Sequence, residues 1–403
     1  MSGPLDDITV IEVASFMAAP SAGAMLADMG ARVIKVEPIG GDPVRGLSRP
    51  IKIESEFQGY DFQFDVDNRG KRSIAVNLND AEGAGVVHRL VEDADVFMCN
   101  LLPNRQRRFG LDSATLFELR PKLVHATLTG YGTVGPDAWR PGYDVTAFFG
   151  RSGLYDAMRE GDHGVVPMAR PAQGDHTTGM VLCTAILAGL RHAERTGQGQ
   201  AVETSLYATA VWTQASDFCV TAVDKAPVRR RARKAQLTPM TNRYPCKDDQ
   251  WIVLNMLDAG AWERLCRALG REDWLDDERL DTPGNRYRRM PELVDAIDEV
   301  LSERTRDEWG RIFDEHGVIW GPVLSLHEVP DDPHAKAIDL FPAVEHPELG
   351  AYRTVSAPFR FATAEVGPQG PSPGPGEHTR EVLASLGYAN EDIQRLFDKS
   401  VVA

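Results

Sequence analysis

The chain has 403 residues, of which 42% are hydrophobic and 26% charged, a composition ordinary for a globular protein with room for roughly two domains. A formal net charge of −15 argues against general binding to nucleic acid or to anionic membranes, so an anionic ligand needs a local cluster of cations. The five cysteines (Cys99, Cys183, Cys219, Cys246 and Cys266) are widely spaced and lack a CxxC, which points to reduced cytoplasmic thiols and away from zinc.

The amino terminus, Met1-Ser2-Gly3-Pro4-Leu5-Asp6-Asp7, is acidic and leads into a strand, so no secretory leader is expected. Residues 8–13 are β-rich, Pro20 opens a helical pattern ending at Met29-Gly30, and residues 33–36 form a second strand. Strands are expected at 73–78, 96–99 and 123–128, with a helix at 81–92. This alternation predicts parallel βαβ units in an α/β sheet covered on both faces. A long helix runs from Asp175 to about Arg195, stopped by Thr196-Gly197-Gln198-Gly199 before a strand at 201–205. At 226–234 the chain turns basic and irregular, through Arg229, Arg230, Arg231, Arg233 and Lys234, and reads as a hydrated loop. A strand at 251–254 and helical patterns to about His316 suggest a smaller domain. From Ile319 an α/β pattern returns, and after a Pro/Gly stretch at 367–376 two amphipathic helices, near 377–387 and 390–399, end the chain. The domain expectation is therefore 1–221, 222–318 and 319–403. The apolar runs reach only about a dozen residues against the ~20 that span a bilayer, so no membrane segment is expected.

The segment Gln173-Gly174-Asp175-His176-Thr177-Thr178-Gly179 precedes the apolar run 180–190. It places a carboxylate where a buried helix begins, beside unpaired N–H groups and the positive end of the dipole. Such a setting keeps the acid ionised and aims it outward, as a nucleophile requires; it is equally the setting of an ordinary N-cap. Other chemistries lack their motifs. The turn after the first strand, Ala14-Ser15-Phe16-Met17-Ala18-Ala19-Pro20, has no GxGxxG, so a dinucleotide site is not expected. Gly70-Lys71-Arg72-Ser73 imitates the tail of a P-loop, but Asp65 stands where glycine is needed and the segment precedes a strand. No HExxH occurs, and prolines 330 and 333 separate His327-Glu328 from His334, so no metal site is expected.

Six further segments follow one another along nearly the whole chain. They are Gly30-Ala31-Arg32-Val33-Ile34-Lys35-Val36-Glu37-Pro38, Gly40-Gly41-Asp42-Pro43-Val44-Arg45, Asn68-Arg69-Gly70-Lys71-Arg72-Ser73-Ile74, Gly142-Tyr143-Asp144, Thr196-Gly197-Gln198-Gly199-Gln200 and Gly376-Glu377-His378-Thr379-Arg380-Glu381-Val382-Leu383. Each is weak alone; in this order and spacing the chain resembles the family III CoA-transferases, the CaiB/BaiF family. That group includes formyl-CoA transferase, carnitine CoA-transferase, mesaconyl-CoA transferase and α-methylacyl-CoA racemase. The resemblance implies an α/β fold: a large Rossmann-like parallel-sheet domain built from both chain ends, plus a smaller middle domain. It further implies a ring-shaped subunit in an interlocked homodimer, with no nucleic-acid or membrane partner.

By the same resemblance Asp175 aligns with the catalytic aspartate, which forms an acyl anhydride and then a CoA thioester before an acceptor acid takes over the CoA. Coenzyme A is then the acyl carrier, with no metal or redox cofactor. Its phosphates call for Arg69, Lys71 and Arg72, joined by Asn68, by the Asn100-Leu101-Leu102 turn, and by Arg105 and Arg108; Met17, Ala18, Tyr143 and Asp144 complete the candidate CoA site. The alternative is an α-methylacyl-CoA racemase using Asp175 in α-proton transfer. Those racemases carry histidine where this chain has Tyr143, and a tyrosine of ordinary pKa, about 10, is a poor base near neutrality. His176 is the other candidate base. Met17 replaces an active-site glutamine of formyl-CoA transferase, and residues 237–244 lack its glycine-rich loop, so formate and oxalate are not the expected acids. For a dicarboxylate acceptor, Arg243 or Arg45 is the candidate grip; Phe16, Met17 and Tyr143 are candidates for an apolar acyl wall.

Overall fold

The fold was analysed in a computed structural model that describes residues 3–47, 57, 60–227 and 229–403; Met1 and Ser2 of the amino terminus and Val228 of the basic segment lie outside them. The chain forms two compact units: Met1–Tyr155 with Met168–Lys225 and Ile338–Ala403, and Asp156–Pro167 with Ala226–Ala337.

The first unit is built on six parallel strands: β1 (Thr9–Val13), β2 (Arg32–Glu37), β3 (Arg72–Ala75), β4 (Val96–Cys99), β5 (Val124–Thr129) and β6 (Gln200–Ser205). Their order is β3-β2-β1-β4-β5-β6, with Val10 beside Val33 and Ile11 beside Phe97. This is the doubly wound order, in which the chain reverses direction across the sheet between β1 and β4. Every residue of β4 is buried, and successive side chains enter opposite cores: Val96 and Met98 one, Phe97 and Cys99 the other. A sheet covered on both faces has this signature, and it explains the continuous apolar runs in the sequence.

The helices of this unit are α1 (Ala18–Asp28), α2 (Phe62–Asn68), α3 (Ala81–Val91), α4 (Pro103–Phe109), α5 (Ser113–Leu119), α6 (Leu154–Ala157, whose last two residues belong to the second unit), α7 (Gln173–Thr196), α8 (Leu206–Thr213) and α9 (Ala215–Asp224). One core packs α1 and α7 against the sheet through Leu26, Leu182 and Ile186. α1 and α7 meet closely because their contact is made of small residues: a Cβ on Gly179 would lie 2.0 Å from Ser21 Oγ and 2.8 Å from the Ala18 carbonyl. The other core joins α3 to the end of the chain through Val87, Leu383 and Leu396, so both chain ends build one unit.

The second unit has three antiparallel strands, β7 (Thr241–Pro245), β8 (Trp251–Asn255) and β9 (Trp320–Val323), and the helices α10 (Ala261–Ala268), α11 (Pro283–Arg288), α12 (Met290–Leu301), α13 (Arg306–Glu315) and α14 (Pro333–Ala337). Tyr244, Leu254, Val294 and Phe313 belong to its core. Two boundaries differ from the sequence reading. Trp251 of β8 pairs with Val323 of β9, so the strand after Ile319 belongs to the second unit and the return falls at Ile338. Residues 156–167 also belong to the second unit. A four-residue apolar strand carries no sign of whether it will pair parallel or antiparallel, which is why the first boundary was misplaced. After the return come an antiparallel hairpin, β10 (Ala343–His346) and β11 (Gly350–Arg353), and the final helices α15 (Thr379–Ser385) and α16 (Asn390–Asp398).

Candidate active site

The carboxyl ends of β1, β2, β4 and β5 open onto one cavity of about 1060 Å³, at the switch point where an open α/β sheet ordinarily binds its ligand. The turn after β1 forms part of its wall. Phe16 there adopts a left-handed backbone (φ 66°), uncommon for a residue with a side chain. Two bonds hold it: the Phe16 N–H donates to Asp42 Oδ1 at 3.2 Å, and the Ser15 N–H donates to Asn100 Oδ1 at 3.2 Å. Asn100 Nδ2 returns a bond to the Ser15 carbonyl at 2.6 Å. Donors that cradle a pyrophosphate in a dinucleotide fold are thus already occupied by side chains of the protein itself. The Phe16 ring stands edge-on to the Tyr143 ring, with centroids 5.3 Å apart.

Asp175 lines this cavity from the first turn of α7. The helix begins two residues earlier than its sequence suggests. Ala172, in a left-handed conformation (φ 76°), occupies the cap position, so Asp175 is not the N-cap. A Cβ on Gly174 would lie 2.7 Å from the Phe148 ring and 2.9 Å from Asp144 Cβ. Only glycine lets α7 approach the π-helical turn Asp144–Gly150 so closely, and that approach sets Asp144 beside Asp175.

The electrostatics differ from the expectation of a freely ionised carboxylate. Burial, then the charges of Asp144 and Asp67, push the Asp175 carboxyl up to about 7, with His176 opposing. The dipole at the helix start does not outweigh desolvation and two neighbouring acids. Asp144 is buried; its Oδ1 accepts from the Val145 N–H at 2.6 Å, and Oδ2 has no hydrogen-bond partner among the described residues. Asp67, also buried, accepts from His176 Nε2 at 3.0 Å. Burial works against the charged imidazole, but Asp67, then Asp175 and Asp144, raise the His176 pKa above its ordinary value. His176 is thereby engaged by Asp67, and it does not line the cavity.

Met17, Ala18, Asn100, Leu102, Tyr143 and Asp144 line the cavity together with Asp175. Asn68, Arg69 and Lys71 do not. Lys71 Nζ is fully buried, 2.7 Å from Glu12, 2.8 Å from the Pro20 carbonyl and 3.1 Å from Asn68 Oδ1. Burial holds its pKa down, to about 8. Arg69 grips both oxygens of Asp28 at 3.1 and 2.6 Å. Arg72, partly exposed, pairs with Glu381 at 2.5 Å. Arg69 and Lys71 thus neutralise the buried acids Asp28 and Glu12 and lie off the cavity wall, whereas Arg72 pairs with an exposed one. Among the described residues that line the cavity the one cation stands on α4. Arg105 lines the cavity, and the exposed Arg108 donates to Asn79, itself a lining residue, at 3.0 Å.

The candidate dicarboxylate grips are engaged elsewhere. Arg45 binds both oxygens of Glu37 at 2.7 Å and the Pro373 carbonyl at 2.8 Å; Arg243, in the second unit, pairs with Glu160 at 3.1 Å. Most of the basic run is neutralised within the second unit: Arg230 pairs with Asp156 and Asp162, Arg233 with Asp298, and Lys234 with Asp295. Leu206, Pro171 and residues 76–79 also line the cavity and were not singled out from the sequence; their only signal is position after a strand or before a helix. Among the described residues no helix is long and apolar enough to cross a membrane, and no three His, Cys, Asp or Glu side chains are grouped to hold a metal ion.

The sequence profile of CoA-transferase family III matches residues 5–379. The chain is 31% identical over 400 residues to the (R)-2-hydroxy-4-methylpentanoate CoA-transferase of Clostridioides difficile, covering 99% of each. It is 33% identical over 388 residues to the succinate–glutarate CoA-transferase of Agrobacterium fabrum, covering 95% of this chain and 96% of that protein. The crystal structure of a CaiB/BaiF family protein from Brucella suis superposes with a TM-score of 0.84 at 29% identity, covering 96% of this chain and all of that one.

Proposed function

This chain belongs to CoA-transferase family III, and we propose that it carries CoA from an acyl thioester to a carboxylic acid through covalent intermediates on Asp175. The observation that carries this reading is a single one: a partly buried carboxylate of raised basicity at the wall of a cavity large enough for a thioester arm. Ionised, Asp175 attacks the thioester carbonyl; the C–S bond breaks, CoA leaves as thiolate, and an aspartyl anhydride remains. The thiolate then attacks the aspartyl carbonyl, releasing the donor acid as carboxylate and leaving an aspartyl-CoA thioester. The acceptor carboxylate repeats the sequence in reverse, and the thiolate ends on the acceptor carbonyl with Asp175 restored. Basicity and nucleophilicity rise together, so the burial that lifts the pKa strengthens the attack once the proton is gone.

The N–H groups of Gln173, Gly174 and Asp175, which have no acceptor within the first turn of α7, serve the oxyanion of each tetrahedral step. Arg105 and Arg108 take the CoA phosphates, with Asn100 and Leu102 along the same strand-end loop. A homodimer is the assembly proposed. Its support is a set of apolar side chains facing out on the helices after the site: α9 has no buried residue, and Trp212, Val220 and Val223 are exposed by 78, 63 and 84%. The racemase reading is not favoured, since His176, its best base, is bonded to Asp67 and off the cavity wall.

The test is intact-protein mass spectrometry after exposure to a panel of acyl-CoAs, for wild type and Asp175→Asn. A CoA or acyl adduct on wild type alone, discharged by hydroxylamine, is expected. Solvent deuterium entering the α-carbon of the acyl group with no adduct on any thioester would sink the proposal.

A further inference from the structure

A cavity that must bind an acid reveals through its own charges what the rest of that acid is. Among the described residues lining it, the charged side chains are Glu37, Asp144, Asp175 and one cation, Arg105. Glu37 is already held by Arg45. Arg105 stands on α4 with its guanidinium 5.7 Å from the Phe109 ring, on the helix whose Arg108 reaches Asn79.

The wall that continues from Asp144 is apolar and connected step by step. Tyr143 precedes Asp144 in the chain, Phe16 stands edge-on to Tyr143, and Met17 follows Phe16. The turn before Tyr143 packs on the end of β5, where a Cβ on Gly130 would lie 2.7 Å from Gly142 Cα. The Gly130 carbonyl in turn accepts from the Tyr207 N–H at 3.1 Å, which sets Leu206 of α8 on the same wall.

Resting on the transferase reading above, we propose that the acid exchanged here is a monocarboxylic acid with an apolar, branched-alkyl or aryl chain, and that dicarboxylic acids are excluded. A second carboxylate against this wall would stand near Asp144 and Asp175 with no free cation to receive it among the described residues that line the cavity. Arg45 and Arg243 are spent on Glu37 and Glu160, and Arg105 belongs with the CoA phosphates. Like charge beside like charge is disfavoured, whereas an alkyl or aryl chain removes its own surface and that of Phe16, Met17 and Leu206 from water.

The assay measures new acyl-CoAs by chromatography, with 4-methylpentanoyl-CoA and succinyl-CoA each supplied as donor and 3-phenylpropanoate, 4-methylpentanoate, succinate and glutarate as acceptors. The expected result is a kcat/KM for the two monocarboxylates at least about tenfold above that for the two dicarboxylates. In Met17→Arg, which brings a cation to the wall, that ratio shrinks. A wild-type preference for succinate or glutarate overturns this assignment and leaves the transferase reading intact. No acyl-CoA from any acid, with no adduct on Asp175, overturns both.

Discussion

Replacing Asp144 by Asn tests whether the neighbouring acid tunes the nucleophile. The Asp175 carboxyl titrates at about 7 where an unperturbed one lies at 3.8, so its ionised form is disfavoured by about 4 kcal/mol. Burial is the largest cause and survives the substitution; the charge of Asp144 is the next and does not. Asn keeps the shape, and its carbonyl keeps the bond from the Val145 N–H. Removing one like charge at this range brings the acid limb down by about one pH unit, from about pH 7 to about pH 6. The assay is single-turnover formation of the Asp175 adduct from an acyl-CoA, quenched and weighed between pH 5 and 9. At pH 6 the variant outruns wild type. At pH 8, where both are ionised, it is slower, because nucleophilicity falls with basicity. Titration of the CoA phosphate, near pH 6, enters both profiles alike, so their difference isolates Asp175. A limb that stays in place or moves up would refute the reasoning.

Three further outcomes follow from the same geometry. Asp175→Asn stabilises the fold at neutral pH: the carboxyl ionises near 3.8 when unfolded and at about 7 when folded, so its contribution is fully present below 3.8 and lost as pH rises through 7. Thermal unfolding at pH 8 then favours the variant by about 2 kcal/mol, discounted for partial exposure, and the gap closes at pH 4. Lys71→Met leaves Glu12 short of a partner in the interior and costs about 3 kcal/mol in urea unfolding, while CoA affinity at a stable temperature stays within twofold; a flattened salt dependence of CoA binding would instead return Lys71 to the ligand. Arg105→Ala raises the KM for acyl-CoA by about tenfold with a smaller effect on kcat, and calorimetric titration at two salt concentrations shows a weaker salt dependence than wild type.

The parallel sheet was legible because its strands are buried on both faces. The expected strand at 96–99 coincides with β4, and those at 8–13, 33–36 and 123–128 fall within a residue or so of β1, β2 and β5. α4 was passed over although Pro103 at its first turn marks a start. α9 was likewise passed over, although Ala215, Phe218, Cys219, Ala222 and Val223 stand at helical spacing; none of its residues is buried. Gly174-Asp175 could be found because the acid, the glycine and the helix are local. Its electrostatic partners could not, since Asp67 meets His176 across 109 residues and Lys71 meets Glu12 across 59.

That distinction explains why the cations expected at the ligand lie off the cavity wall. A cation at a strand entrance looks the same in sequence whether it faces a phosphate or a buried acid. Here the acids at the strand ends, Glu12, Glu37 and Asp42, lie in the interior and take Lys35, Lys71 and Arg45 as their partners. Unpaired, each of these acids would be far costlier than the pair, so the interior claims the strand-end cations first. Among the described residues at the cavity, the cations left for an anionic ligand are on the helix after β4, where Arg105 and Arg108 stand exposed. On the proposed transferase reading the ligand is correspondingly two-natured, with a polyanionic head at α4 and an apolar acyl chain beside Phe16, Met17 and Tyr143. On that same reading the carbonyl between them falls to Asp175, whose proton is held near neutrality by burial and by Asp144.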